Sequence, residues 1–209
     1  MDNLSLNLNM KELKPRLPAL ILSVTSLFLS FIYLITIISG ITFSSFLVSV
    51  LELAPVFLFA VYTLLLYPKL PPKYALAGIF GIQTLIALIT LISYIISIAK
   101  VGGLPIATPS FIFTTLTNIF LVFIFAAGAI SFFIKIDIAK YIPLIVIGLV
   151  VLIEVILLLI NLPNYISFMS YNMPLAIKSL LQTLICRSSN ITFFASLGVF
   201  LLNKKLMNP

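Results

Sequence analysis

Long apolar segments separated by short polar ones account for almost the whole chain. The runs of about twenty or more mostly apolar residues lie at 17–39, 45–67, 74–99, 110–134, 142–162 and 174–203. A helix needs about 20 such residues to cross the hydrocarbon layer of a bilayer, which is about 30 Å thick. We therefore predict an all-α polytopic integral membrane protein. Its single domain, 17–203, is a bundle of about six transmembrane helices between a short basic N-terminus, 1–16, and a basic tail, 204–209.

Two of these segments need a further interpretation. The run from Leu17 to Ser39 carries no charge and is longer than the ~7–15 apolar residues of a cleavable signal, which favours a retained anchor. The last segment contains Lys178 and Arg187. It is either one long span over 174–203, or an interfacial helix followed by a short span that begins at about Ser188.

Composition removes several classes of function. Hydrophobic residues make up 62% of the chain and charged residues only 8%, against about 25% charged in soluble domains, so a soluble enzyme is excluded. The chain has no His and a single Cys, Cys186, which excludes His-based catalysis, disulfide frameworks and Cys or His zinc sites. No hydrolase, metalloprotease or nucleotide-binding motif is present. We expect no cofactor, no metal and no enzymatic activity, with an intramembrane Ser and Lys mechanism as a remote alternative.

The distribution of Lys and Arg predicts the orientation in the membrane. Cytoplasmic loops are enriched in these residues. Nine fall at one predicted side and only Lys100 at the other; the nine are Lys11, Lys14, Arg16, Lys69, Lys73, Lys135, Lys140, Lys204 and Lys205. Both termini are therefore predicted to be cytoplasmic. The same bias explains most of the formal charge of +7, so nucleic acid is not an expected partner.

Polar side chains within the apolar segments are the candidate site. An ionisable group at mid-depth costs at least ~2.5–3.5 kcal/mol, so it is expected to face the interior of the bundle and to have a partner. With both termini inside, the two acids fall at about the same depth in the outer half. The candidate solute- or ion-binding residues are Glu52, Asn118, Glu154, Lys178, Gln182 and Arg187. The alternatives are a purely structural charge cluster or, with a short last span, no cluster at all.

Small residues four apart suggest where helices pack closely. The pairs are Ala19 and Ser23, Ser26 and Ser30, Ser45 and Ser49, Ala77 and Gly81, and Ala127 and Ser131. We expect them to pack within the bundle, with docking of another subunit as the alternative. The run of four small residues at 126–129 is the expected point of closest approach. Asn190-Ile191-Thr192 matches a glycosylation acceptor, which we interpret as a chance match because it lies in the last span.

These features leave two main hypotheses. The first is binding or passage of a small solute through the outer-half polar layer, within a larger transporter or alone. The second is a non-transport assembly, immunity or regulatory partner whose charges only hold the bundle together. Helix number and length are similar to those of the membrane-embedded solute-binding subunits of multi-component vitamin importers, a resemblance that carries over no ligand residue. The abundance of Ile, Lys, Asn and Phe favours a bacterial cell membrane, where lipid and other membrane subunits are the expected partners.

Overall fold

Every regular element in the described part of the chain is helical. The computed structural model describes residues 14–37, 43–67, 69–100, 109–203 and 207. The helices are α1 (Leu17–Ile37), α2 (Phe43–Val61), α3 (Pro72–Lys100), α4 (Pro109–Ser131), α5 (Ile142–Met169) and α6 (Met173–Leu202). A π-helical turn, Tyr62–Leu66, continues α2, and a 3₁₀ turn, Asp137–Tyr141, leads into α5. The predicted all-α class is confirmed. Residues 1–13 and most of the tail, 204–206 and 208–209, lie outside the described residues.

The described helices have the length and composition of a membrane-embedded protein. Five are long and apolar enough to cross a bilayer: Leu17–Ile37, Ser49–Leu66, Pro72–Ile96, Ile138–Met169 and Met173–Leu202. Within α4, Thr115–Ser131 forms a shorter apolar helix. Large apolar side chains are exposed along the outer faces, for example Phe28 at 65% and Phe123 at 69%. Soluble proteins rarely expose apolar surface on this scale, so these faces suit contact with lipid.

Local sequence explains where several helices begin. Pro72, Pro109, Pro143 and Pro174 each lie within the first two positions of a helix, where the fixed φ of proline suits the first turn and its missing N–H is not needed. Asn172 also caps α6, because its side-chain oxygen accepts a hydrogen bond from the backbone N–H of Leu175 at 3.2 Å. These signals set the polar turns at the ends of the apolar runs.

The helices pack in a closed ring. Each helix contacts its neighbours in sequence, and α1 also packs extensively along α6. All of the helices contribute to one apolar core. Phe59 lies near its centre, with its ring centroid 5.7 Å from that of Phe200 and 6.3 Å from that of Phe193. The aromatic core fills the half of the ring in which α1, α3 and α5 begin.

Small residues permit the closest contacts, as their spacing predicts. Ala19, Ser23 and Ser26 on α1 are fully buried. A Cβ placed on Gly128, within the small-residue run of α4, would lie 2.8 Å from the Phe80 ring of α3, closer than two carbon atoms can pack. A larger residue at Gly128 would therefore displace the Phe80 ring. Gly81 differs, since a Cβ there would meet no atom within 4 Å.

Arg16 lies buried at the end of the ring where α1 begins. Its Nη1 donates to the backbone carbonyls of Thr63 and Tyr67, each at 3.0 Å, and its guanidinium lies 5.6 Å from the centre of the Tyr67 ring. A π-helical turn ends with carbonyls that the helix itself does not satisfy. Arg16 therefore caps α2 from a neighbouring helix, while its own Nε has no partner among the described residues.

The last two helices are longer than a bilayer requires. The apolar pattern predicts that α5 ends at 162, before Pro163, but the helix continues through this proline to Met169. Proline removes only one backbone donor, and in an apolar solvent the remaining backbone groups have no better partners than one another. The segment 174–203, for which two topologies were open, forms one uninterrupted helix, Met173–Leu202.

Candidate functional site

A polar cavity in the described part of the chain lies between α1, α5 and α6. It has a volume of about 230 Å³. Most of the side chains around it carry hydrogen-bonding groups: the lining residues are Tyr33, Ile37, Tyr165, Ser179, Gln182, Thr183, Cys186 and Arg187. We call it the α6 cavity, because α6 supplies most of its wall. The helical spacing of Ser179, Gln182, Thr183 and Cys186 places them along one face of α6.

An ion pair closes one side of the α6 cavity. Arg187 Nη1 donates to Glu154 Oε2 at 2.5 Å. Asn190 Nδ2 donates to the other carboxylate oxygen at 2.9 Å, so both oxygens of Glu154 have a donor. The Glu154 side chain is 11% exposed and that of Arg187 is 26% exposed. The acid is thus enclosed, while the base, which has five N–H donors in all, still borders the cavity.

Two further hydrogen bonds hold the walls of this cavity in place. Gln182 Nε2 donates to the carbonyl of Thr36 on α1 at 2.8 Å. The hydroxyl groups of Tyr165 and Thr183 lie 2.6 Å apart and join α5 to α6. Tyr165 lies three residues beyond the predicted end of this span at 162, so it belongs to the helix only because α5 continues beyond Pro163. The longer α5 therefore supplies a wall that the predicted helix lacked.

A second, smaller cavity contains Glu52. It has a volume of about 20 Å³, about the space that one water molecule needs. It lies where α1, α2 and α6 meet, and its lining residues are Ser30, Tyr33, Ser49, Glu52, Leu53, Cys186, Ser189 and Asn190. We call it the Glu52 cavity. Tyr33 and Cys186 border both cavities, so these two side chains separate them.

Serine hydroxyls join α1 to α6 beside the Glu52 cavity. Ser26 Oγ donates to the carbonyl of Ser189 at 2.8 Å, and Ser189 Oγ donates to the carbonyl of Ser26 at 2.9 Å. Ser30 Oγ lies 2.5 Å from Ser189 Oγ. Either hydroxyl can be the donor in this contact. Each hydroxyl oxygen also has lone pairs that can accept.

The structure brings together four of the six residues that the sequence singles out. Gln182 and Arg187 line the α6 cavity, Glu154 is paired with Arg187, and Glu52 is close enough to both charged residues to interact with them. Asn118 on α4 and the exposed Lys178 line neither cavity. The two acids are thus accompanied by one base in the cluster, where the sequence suggests two.

Several site residues lie outside the sequence-based set. Asn190, set aside as part of a chance glycosylation match, is a direct partner of Glu154. It lies three positions after Arg187, and this spacing places both side chains on one face of α6. Ser26, Ser30 and Tyr33 share a face of α1 by the same rule. Helical spacing from Arg187 was therefore an available signal for Asn190, whereas α1 has no charged residue from which its three site residues could have been found.

No cluster of acid, thiol or imidazole groups suited to a metal ion occurs among the described residues, taking three or more such groups as the requirement. Cys186 is a free thiol in the described chain. What the two cavities offer is hydroxyl, amide, carboxylate and guanidinium chemistry, which suits reversible binding of a polar solute or ion.

No protein-family model, curated protein or solved structure matches the chain.

Proposed function

We propose that this protein is a multi-pass membrane protein that binds a small polar solute in the α6 cavity. The observation that supports the proposal is a cavity of about 230 Å³ with hydrogen-bonding groups on most of its wall. Drug-sized ligands occupy pockets of about 300–1,000 Å³, so the solute is smaller than these. The protein binds it either alone or as a subunit of a larger transporter.

The lining indicates the chemistry of the solute. Arg187 has N–H donors beyond the one that Glu154 accepts, and the hydroxyls of Ser179 and Tyr33 can donate or accept. Because Glu154 balances the charge of Arg187, a strongly charged anion would gain little. A neutral or zwitterionic solute with several oxygen acceptors fits best.

The proposal includes six spans with both termini in the cytoplasm. In the described chain, Lys69, Lys73, Lys135 and Lys140 fall at the turns on the end of the ring where α1 begins. Asn203 Nδ2 donates to the carbonyl of Pro15 at 2.9 Å, so the last helix ends beside the start of the first. An excess of basic residues at one end is typical of the cytoplasmic side. In the proposed orientation, both cavities lie in the outer half.

Filling the cavity tests the proposal. The protein is extracted gently from native membranes, and the small molecules that remain bound are identified and counted by mass spectrometry. We expect a polar solute to remain at about one per chain. Ser179→Phe, which places a ring in the α6 cavity, should remove it. The matched control is Ser170→Phe, at an exposed position in the turn after α5.

Two outcomes would contradict the proposal. One is that only lipid remains bound to the unmodified protein. The other is that the solute is retained by Ser179→Phe as well as by Ser170→Phe. A stoichiometric protein partner in the absence of any solute would favour the assembly or regulatory hypothesis instead.

A further inference from the structure

Glu52 is the acid in the cluster whose charge the cluster does not balance. Glu154 and Arg187 neutralise each other, and Glu52 makes no hydrogen bond or ion pair within the described part of the chain. Glu52 is exposed and also lines the Glu52 cavity. An ionised carboxylate within a membrane span is costly unless a partner or water compensates it. When all three groups are ionised, the cluster of Glu52, Glu154 and Arg187 has one negative charge to be balanced.

The neighbours of Glu52 offer oxygen atoms. Asn190 gives its Nδ2 to Glu154, so its remaining polar atom is the carbonyl oxygen Oδ1. Ser30 lies beside Ser189 and offers a hydroxyl oxygen. Tyr33 and Ser49 add two further hydroxyl oxygens to the same wall. One carboxylate and several neutral oxygens are the ligands that a small, hard cation prefers.

Size and charge select among cations. A volume of about 20 Å³ accommodates one water-sized particle, and a single carboxylate balances one positive charge. A divalent ion would leave an excess positive charge in an apolar surrounding. A proton would also neutralise Glu52, but it would not make use of the other oxygen atoms that line the cavity. A dehydrated sodium-sized ion uses all of these features.

We propose that the Glu52 cavity is a binding site for a monovalent cation of the size of Na⁺, formed by Glu52, Ser30, Ser49, Asn190 and Tyr33. The site does not depend on the solute proposed for the α6 cavity. It shares the Tyr33 and Cys186 wall with that cavity, so an ion bound there stiffens one side of the larger cavity.

The test measures Na⁺ binding to the purified full-length protein in lipid nanodiscs. Thermal unfolding is followed while NaCl replaces choline chloride at constant ionic strength, and KCl is compared in the same way. We expect a saturable rise in the unfolding temperature with Na⁺, a weaker one with K⁺ and none with choline. Glu52→Gln should weaken the apparent affinity at least about tenfold, since hydrogen bonds and contacts to charged groups contribute on this scale.

A second pair of variants keeps the test decisive if Glu52→Gln fails to fold. Ser30→Ala removes one oxygen from the site and should weaken Na⁺ binding about three- to tenfold. Ser196→Ala is the matched control. Ser196 is a buried serine of α6 whose hydroxyl donates to the carbonyl of Phe193, and it lines neither cavity, so its variant should bind Na⁺ like the unmodified protein.

The proposal is overturned if Na⁺ and choline have equal effects, or if Ser30→Ala and Ser196→Ala bind Na⁺ equally well. It is also overturned if the unfolding temperature responds to pH through Glu52 but does not respond to Na⁺, which would make the site a proton site. Because the readout is ion binding, loss of the solute from the α6 cavity leaves this result unaffected, and the two proposals can fail separately.

Discussion

Removing one partner of the Glu154–Arg187 ion pair, Arg187, should lower the free energy of unfolding more than removing both partners. Glu154 accepts hydrogen bonds from Arg187 at 2.5 Å and from Asn190 at 2.9 Å. Arg187→Met leaves an enclosed carboxylate with only the Asn190 amide as donor. Removing one partner of a buried ion pair destabilises a protein by about 3–5 kcal/mol, because the remaining charge is not compensated.

Removing the acid instead, by Glu154→Gln, should lower the free energy of unfolding less. Arg187 borders the α6 cavity and keeps 26% of its side chain exposed, so water can solvate the guanidinium in Glu154→Gln. We expect a loss of about 1–3 kcal/mol, typical of a hydrogen bond to a charged group. The double variant replaces the pair by uncharged side chains and should lose only about 0–2 kcal/mol. The sum of the two single losses should therefore exceed the loss in the double variant by about 2 kcal/mol or more.

The assay is a double-mutant cycle on the free energy of unfolding. Unfolding is followed by circular dichroism as SDS is added to the protein in mixed micelles. The control cycle pairs Glu154→Gln with Lys178→Met, which removes an exposed base from α6, the helix that also carries Arg187. The losses in this cycle should be additive within about 0.5 kcal/mol. A coupling below about 0.5 kcal/mol for the Arg187 cycle would refute the reasoning, since it would mean that neither charge needs the other.

Two further predictions concern the end of the ring where α1 begins. Arg16→Met should lower the free energy of unfolding by about 2–3 kcal/mol, because the carbonyls of Thr63 and Tyr67 lose a charged donor. As a control, Lys14→Met changes an exposed residue and should alter the free energy of unfolding by less than about 0.5 kcal/mol. Equal losses in the two variants would contradict the capping role of Arg16. In a Cys186→Ser background, a membrane-impermeant maleimide should label Ser170→Cys in intact cells and Lys69→Cys only after permeabilisation, whereas the opposite pattern would reverse the proposed orientation.

Apolar run length predicted the helical class and most helix positions, because in lipid a backbone has few alternatives to a helix. The end of α5 was missed because the predicted span was bounded by its apolar run at 162, whereas the helix continues through Pro163 to Met169. Proline removes one donor, which need not end a helix in an apolar solvent. The π-helical turn after α2 was also missed. Its stabilisation by Arg16 depends on a contact between residues 47 apart in the chain, and no local pattern contains that information.

The charged residues of the candidate site could be predicted from the sequence, but its neutral residues could not. The cost of burying a charge singles out Glu52, Glu154 and Arg187 wherever they occur. Which base accompanies them depends on the rotation of α6, and this rotation places Lys178 on an exposed face. The hydroxyl groups of Ser30 and Ser189 are neutral, so their burial carries no comparable signal in the sequence.

Closure of the ring by α1 and α6 has a consequence for biosynthesis. Ser26 and Ser189, which hydrogen-bond to each other, are 163 residues apart in the chain. At about 5–20 residues per second, the first helix enters the bilayer on the order of ten seconds or more before its partner is made. During this interval Ser26 can bond only to nearby groups such as its own helix carbonyls. A nascent chain that stops before α6 would leave Glu154 without Arg187, so truncated products carry a buried charge by which membrane quality control can distinguish them from finished ones.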